Sequence, residues 1–416
     1  MGARLAGAGF GFLSQLMLAR AFPPYQVGVA FLAISITTFV SLLITGGYHT
    51  IGLTYLARFQ AFARPGLIAA FLQAARRDMT MLAAVAVLLA SLFWLLPADP
   101  GVVAATFWGT LAAVPLAAIR LNNSAANAQK RFALSYAPDF VFRPGLLLVV
   151  IGLLWVTGTT GSAMPVLWAL PVISLGVALV QALLLGPDNA WRRTPPARTD
   201  MRPYYRSRAL SMLAVTLVAG ATADIVVMIG GFFLAPEDVA ILGVAIRIAA
   251  LVGFFALASQ QFVLRDLVTV QAQGSAADID RLLARTNLSS AAVMAGALVV
   301  VMLTGPWILG LFGPHYADAY GPLLVFLLAQ TTRVLGGMNA QLLALGGHQL
   351  RSAALCLLAL AVLVLGSVLL APLLGIMGIA LATVGAELFW AIGLGMLAQR
   401  LEPRRGDFLA SFKIKR

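Results

Sequence analysis

The chain has 416 residues, of which 61% are apolar and only 10% charged. An ordinary soluble domain is about 25% charged, so a soluble globular protein is excluded, and the apolar excess without low-complexity repeats excludes disordered and fibrous classes. Lys and Arg outnumber Asp and Glu by 28 to 15, a formal charge of +13, which in a soluble chain would point to nucleic acid; no nucleic-acid partner is expected here, because the cations sort by membrane topology.

A membrane-crossing helix needs about 20 mostly apolar residues. Apolar runs bounded by Gly, Pro or charge predict twelve such spans, at roughly 3–21, 26–48, 79–97, 102–126, 136–157, 163–186, 208–232, 237–262, 288–312, 320–346, 352–371 and 375–399. The first is short and glycine-rich, but no small-residue cleavage site follows it before Pro23 and Pro24, so it is kept as a span rather than a signal peptide. The single cysteine, Cys356, lies in an apolar run; it excludes an intramolecular disulfide and reads as a small buried hydrophobe.

Twelve spans put both termini on one side. With that side cytoplasmic, the inside segments carry Arg4, Arg58, Arg64, Arg76, Arg77, Lys130, Arg131, the run from Arg192 to Arg208, Arg265, Arg281, Arg285, Arg351 and the basic C-terminus. The opposite loops carry Asp99, Glu237, Asp238 and Asp318, with Arg20 the one cation near them. This asymmetry obeys the positive-inside rule. Arg120, Arg143, Arg247 and Arg333 remain, all inside predicted spans.

The hairpin Phe22-Pro23-Pro24-Tyr25-Gln26-Val27-Gly28-Val29 resembles Leu234-Ala235-Pro236-Glu237-Asp238-Val239-Ala240-Ile241, and each precedes a long helix and an Arg-bearing segment with a glycine, at Gly66 and Gly274. Six spans per half make the halves parallel repeats about an axis along the membrane normal. The expected organisation is an N-terminal six-helix bundle over 1–186, a cytoplasmic linker over 187–206, a C-terminal six-helix bundle over 207–400, and a basic cytoplasmic tail over 401–416. The expected fold class is thus an all-α polytopic membrane protein with two six-helix bundles around a central cavity.

A charged side chain in mid-membrane costs several kcal/mol, so it faces a protein interior or a watery cavity. On the tenth span Gln330, Arg333, Gly337 and Gln341 recur at i, i+3, i+7 and i+11, one face of a continuous helix; on the fourth, Arg120, Asn123 and Asn127 recur at i, i+3 and i+7. These stripes are candidates to line a cationic cavity. Asp139 and Arg143, at i and i+4, either pair or line it, Asp139 being a further candidate for ion coupling. Asp224 and Glu387, deep in their spans, are either proton or sodium sites or counter-ions of the arginines. Arg20 either binds headgroup phosphate or closes an outer gate. His49, His315 and His348 have no metal-ligand spacing. No phosphate loop, H-E-x-x-H, G-x-S-x-G or CxxC occurs, and the outward loops are short, which points to a transporter rather than an enzyme.

The sequence Leu18-Ala19-Arg20-Ala21-Phe22-Pro23-Pro24-Tyr25-Gln26-Val27-Gly28, together with Phe142-Arg143-Pro144-Gly145-Leu146-Leu147, resembles polysaccharide flippases of the Wzx type, from the superfamily that also holds lipid II flippases and multidrug antiporters of the MATE type. Ala235-Pro236-Glu237-Asp238-Val239 leading into Ala245-Ile246-Arg247-Ile248-Ala249, and Leu345-Gly346-Gly347-His348-Gln349 followed by Gly375-Ile376-Met377-Gly378, extend the resemblance over nearly the whole chain. It implies alternating access in a bacterial inner membrane, with a polyprenyl-pyrophosphate-linked oligosaccharide as substrate. It also implies that Arg20, Arg143 and Arg247 occupy positions where the family carries arginine. No cofactor is expected beyond a proton or sodium gradient or the membrane potential. Expected partners are the lipid-linked substrate, membrane lipid, and glycosyltransferases or a polysaccharide polymerase. Two alternatives stay open: a MATE-like exporter of amphipathic cations, and a non-transporting scaffold for polysaccharide assembly.

Overall fold

The computed structural model describes residues 2–186, 201–273, 276–401 and 406–408. These residues are all-helical, with no strand among them. The chain divides into two compact units, residues 1–231 with 235–240, and 232–234 with 241–416.

The first unit contains α1 (Gly2–Ala21), α2 (Pro24–Thr45), α3 (Tyr48–Ala61), α4 (Pro65–Leu92), α5 (Pro100–Ala128), α6 (Phe132–Ala137), α7 (Arg143–Val156), α8 (Met164–Leu185), α9 (Arg202–Gly220) and most of α10 (Thr222–Phe233). The second holds most of α11 (Pro236–Gln273), then α12 (Ala276–Phe312), α13 (Tyr320–Leu335), α14 (Asn339–Leu345), α15 (Gln349–Leu374) and α16 (Ile376–Leu401). Each predicted span coincides with one of these helices or with a broken pair of them. Nine helical stretches among the described residues are long and apolar enough to cross a membrane. Prolines start several of them: Pro24, Pro65 and Pro100 each occupy the first helical turn, where the missing N–H costs nothing. Asp99 caps α5, its Oδ1 accepting from the N–H groups of Gly101 and Val102 at 2.8 and 3.1 Å.

The core of the first unit is the α2–α5 crossing. Small residues allow it: Gly109 of α5 packs against Ala33 and Ile36 of α2, and Thr37 Oγ1 donates to the Gly109 carbonyl at 3.0 Å. Ala104, Ala105, Ala112 and Ala113 are buried along the same helix. Without a hydrophobic driving force between helices in lipid, close backbone approach of this kind supplies the packing. The outer faces of the long helices are the reverse. Leu89, Leu153, Leu183, Leu303 and Leu369 are all 60% or more exposed, as lipid-facing side chains are.

Three expectations change. The segment between the second and third spans is helical, as α3 and the first turns of α4; α2 gives way to α3 at Gly46 and Gly47, whose φ values of 53° and 84° end one helix and start the next. The seventh span is two helices, α9 and α10, separated at Ala221. The tenth is also broken, between Leu335 and Asn339, where Gly337 has φ +63°. The stripe Gln330, Arg333, Gly337, Gln341 assumed an unbroken helix, so Gln341 lies on α14 and does not continue the α13 face.

Of the expected linker over 187–206, residues 187–200 lie outside the described residues, as do Gly274 and most of the expected tail. Arg202 and Tyr205 of the expected linker are packed in the first unit: Tyr205 is 1% exposed, and Arg202 Nε donates to Asp78 Oδ1 at 2.8 Å.

Candidate substrate site

Arg120 reaches from α5 toward two neighbours. Its Nη1 donates to the Thr38 carbonyl of α2 at 3.3 Å, and its Nε lies 3.9 Å from Asp139 Oδ2. Arg143, the first residue of α7, approaches the other oxygen of the same carboxylate, Nη1 to Oδ1 at 3.5 Å. The three side chains are only 14–16% exposed.

Proline chemistry places Asp139. Pro138 has no N–H to give Leu134, four residues back, and Gln181 Nε2 of α8 donates to that carbonyl at 3.0 Å instead. Residues Pro138–Phe142 follow as a π-type turn, which inserts a residue and rotates Asp139 relative to an ideal helix. The result is a carboxylate between two guanidinium groups. Asp224, in the first turn of α10, also acts electrostatically on Arg120, more weakly than Asp139.

The Asn123 side-chain amide lies 2.7 Å from Gln181 Nε2, and its backbone carbonyl accepts from Ser135 Oγ at 2.9 Å. Asn127 Nδ2 donates to Tyr136 at 3.3 Å. The predicted α5 stripe therefore divides, with Arg120 toward Asp139 and the two asparagines binding α5 to α6 and α8.

The second unit treats its arginine differently. Arg333 and Glu387 form a two-point pair between α13 and α16, Nε to Oε2 at 3.0 Å and Nη2 to Oε1 at 2.6 Å, with 14% and 8% of their side chains exposed. The Trp390 ring stands 5.8 Å from the guanidinium carbon, and Trp390 Nε1 donates to Cys356 Sγ of α15 at 3.3 Å. Glu387 is thus paired with an arginine across two helices. Gln330 packs against Gly253 of α11. Arg247 is half-buried in α11 between the buried Ile246 and Ile248. Arg20 is exposed in the last turn of α1.

Sequence reasoning missed a third charged cluster. Asp78 of α4 is 3% exposed, accepts from Tyr48 Oη of α3 at 2.7 Å, and pairs with Arg202 of α9. Arg202 had been counted among the orienting cations, and Asp78, directly after Arg76 and Arg77, sat at the edge of a span. Its being the one carboxylate in that basic run was the available signal. His49 is structural: its ring bridges the hydroxyls of Thr45 and Thr50 at 2.8 and 3.2 Å, and its carbonyl accepts from Ser124 Oγ. No metal-binding cluster of His, Cys, Asp or Glu occurs among the described residues.

No protein-family model and no curated protein matches the sequence. Solved structures do. The lipid II flippase MurJ, in an inward closed conformation, is similar with a TM-score of 0.76 over 99% of this chain and 88% of that one, at 13% identity. An inward-facing multidrug resistance MATE family transporter of the MOP superfamily is similar with a TM-score of 0.75 over 98% and 95%, at 14% identity. A MOP superfamily transporter from Pyrococcus furiosus, described as having a binding pocket of reverse polarity, follows at 0.55 over 100% and 94%, at 16% identity. The described residues therefore share the all-α fold of these solved transporters. At these identities the likeness is one of fold.

Proposed function

We propose that this protein is an alternating-access flippase that carries a polyprenyl-pyrophosphate-linked oligosaccharide to the outer leaflet of a bacterial inner membrane. The observation that carries the proposal is the sharing of Asp139 by Arg120 and Arg143. A charge-assisted N–H···O bond is normally about 2.7–2.9 Å long; the contacts here are 3.9 and 3.5 Å. Each guanidinium has five N–H donors, and the contacts described use few of them. Two cations close together with spare donors suit a diphosphate, whose oxygens accept in pairs.

A pyrophosphate crossing hydrocarbon unaided would bear a prohibitive desolvation cost. Arg120 and Arg143 would replace part of its hydration shell with fixed donors, Asp139 holding the two like charges together while the site is empty. Asp224 supplies a further negative charge near Arg120 that would limit how tightly the anion is held, as a carrier that must release its cargo requires. Fold likeness to a lipid II flippase supports the reading. Enzymes that assemble the oligosaccharide would be the transporter's functional partners.

The rival is export of amphipathic cations, favoured by the equal fold likeness to a multidrug transporter. Asp139 and Asp224 would then be the binding groups and the arginines their counter-ions. The test is transfer of a pyrophosphate-linked glycan in reconstituted vesicles. Arg120→Gln and Arg143→Gln should each slow it by about tenfold or more at unchanged protein level, and full transfer in both would refute the site. A scaffold without transport predicts no transfer by the unaltered chain.

A further inference from the structure

A short piece of the expected C-terminal tail is part of the second unit. Gly406 and Asp407 are buried, Asp407 to 6%. The Gly406 carbonyl accepts two hydrogen bonds at 2.8 Å, from Asn287 Nδ2 of α12 and from the backbone N–H of Met338. The Gly406 N–H donates to Asn339 Oδ1 at 2.7 Å. Asn287 and Asn339 are 2% and 0% exposed.

Met338 stands in the break between α13 and α14. Gly337, at φ +63°, turns the chain out of the helical path and leaves the Met338 N–H to find a partner outside the helix. Gly406 supplies it. Both glycines are needed for the approach: a methyl group on Gly337 would overlap the Gly406 carbonyl oxygen, and one on Gly406 would come within 2.8 Å of Leu342 and 3.0 Å of the Met338 backbone.

We propose that residues 406–408 are a clasp on the α13–α14 hinge, and that its release frees the hinge to bend. Helix breaks at a few terminal residues are where large φ/ψ changes are absorbed, and this one lies between Arg333 on α13 and Gln341 on α14. The clasp follows α16 by only four residues, and α16 carries Glu387, the partner of Arg333. The two helices joined by that ion pair are thereby joined a second time, through a contact that includes three hydrogen bonds and covers Met338 and Leu342. The clasp does not depend on what the protein carries.

Amide hydrogen exchange on the full chain in lipid nanodiscs tests it. Asn339→Ala, and separately truncation after Leu401, should speed exchange over residues 336–345 by about tenfold while leaving α15 and the first-unit helix α2 unchanged. A synthetic peptide of residues 402–416 should restore protection to the truncated chain. Asp407→Cys should resist maleimide in the otherwise unaltered chain and react faster when Asn339→Ala is added, with Cys356 buried and contributing little background. Unchanged exchange at 336–345 after truncation would overturn the clasp. So would faster exchange spread through α15 and α2, which would mark a general support of the fold.

Discussion

Asp139 serves two guanidinium groups at 3.9 and 3.5 Å, whereas Glu387 closes on Arg333 with contacts of 3.0 and 2.6 Å. A carboxylate and guanidinium groups thus make a loose, shared contact in one unit and a close pair in the other, and the two should respond differently to substitution. Removing one partner of a buried pair costs roughly 3–5 kcal/mol, while replacing both with apolar residues is often neutral. Arg333→Met should therefore lower the melting temperature in detergent by several degrees, and adding Glu387→Met should recover most of the loss. Arg143→Gln should leave the melting temperature nearly unchanged and act on transport. Sequence alone singled out all four intramembrane arginines, because a cation in a span needs an explanation. It could not rank them, because the partner that Arg333 closes on, Glu387, lies 54 positions away in the chain and only the fold joins the two.

At the scale of elements, the chain's breaks carry more meaning than its spans. The hydrophobic pattern located every span, since burying apolar side chains and backbone polar groups in lipid leaves few alternatives to a helix. It did not show that the tenth span is interrupted, because Gly336-Gly337 is as apolar as its surroundings and a hydropathy window passes over it. Nor did it show α3, whose mixed composition reads as a loop. The proline-started hairpins were legible, and Pro24 and Pro236 do begin α2 and α11. Gly28, four residues into α2, lies so near the Pro236 carbonyl that an added methyl would overlap it. Gly28→Val should cost about 1–3 kcal/mol by overpacking, seen as a lower melting temperature, while Gly145→Ala, where a methyl meets nothing within 4 Å, should be silent. Asp78→Ala should be more damaging than either, because it strands the half-buried Arg202 and removes the acceptor of Tyr48.

For the whole molecule, the +13 charge divides by sequence into cations expected to orient the chain and four arginines inside predicted spans. The interior set is the one that bears on cargo, and the membrane potential offers a check on its sign. An inside-negative potential contributes about 2.3 kcal/mol per charge per 100 mV, so outward movement of a pyrophosphate-linked glycan should accelerate when such a potential is imposed on vesicles, and a cationic cargo should slow. The most direct measurement compares two cargoes in vesicles containing the unaltered protein or Arg120→Gln with Arg143→Gln: a polyprenyl glycan with its pyrophosphate, and the same glycan on the neutral polyprenol. The account predicts that the unaltered protein transfers the pyrophosphate form at least about tenfold faster, and that the double substitution removes this preference. Equal transfer of the two lipids by the unaltered protein, or a preference that survives the loss of both arginines, would contradict it.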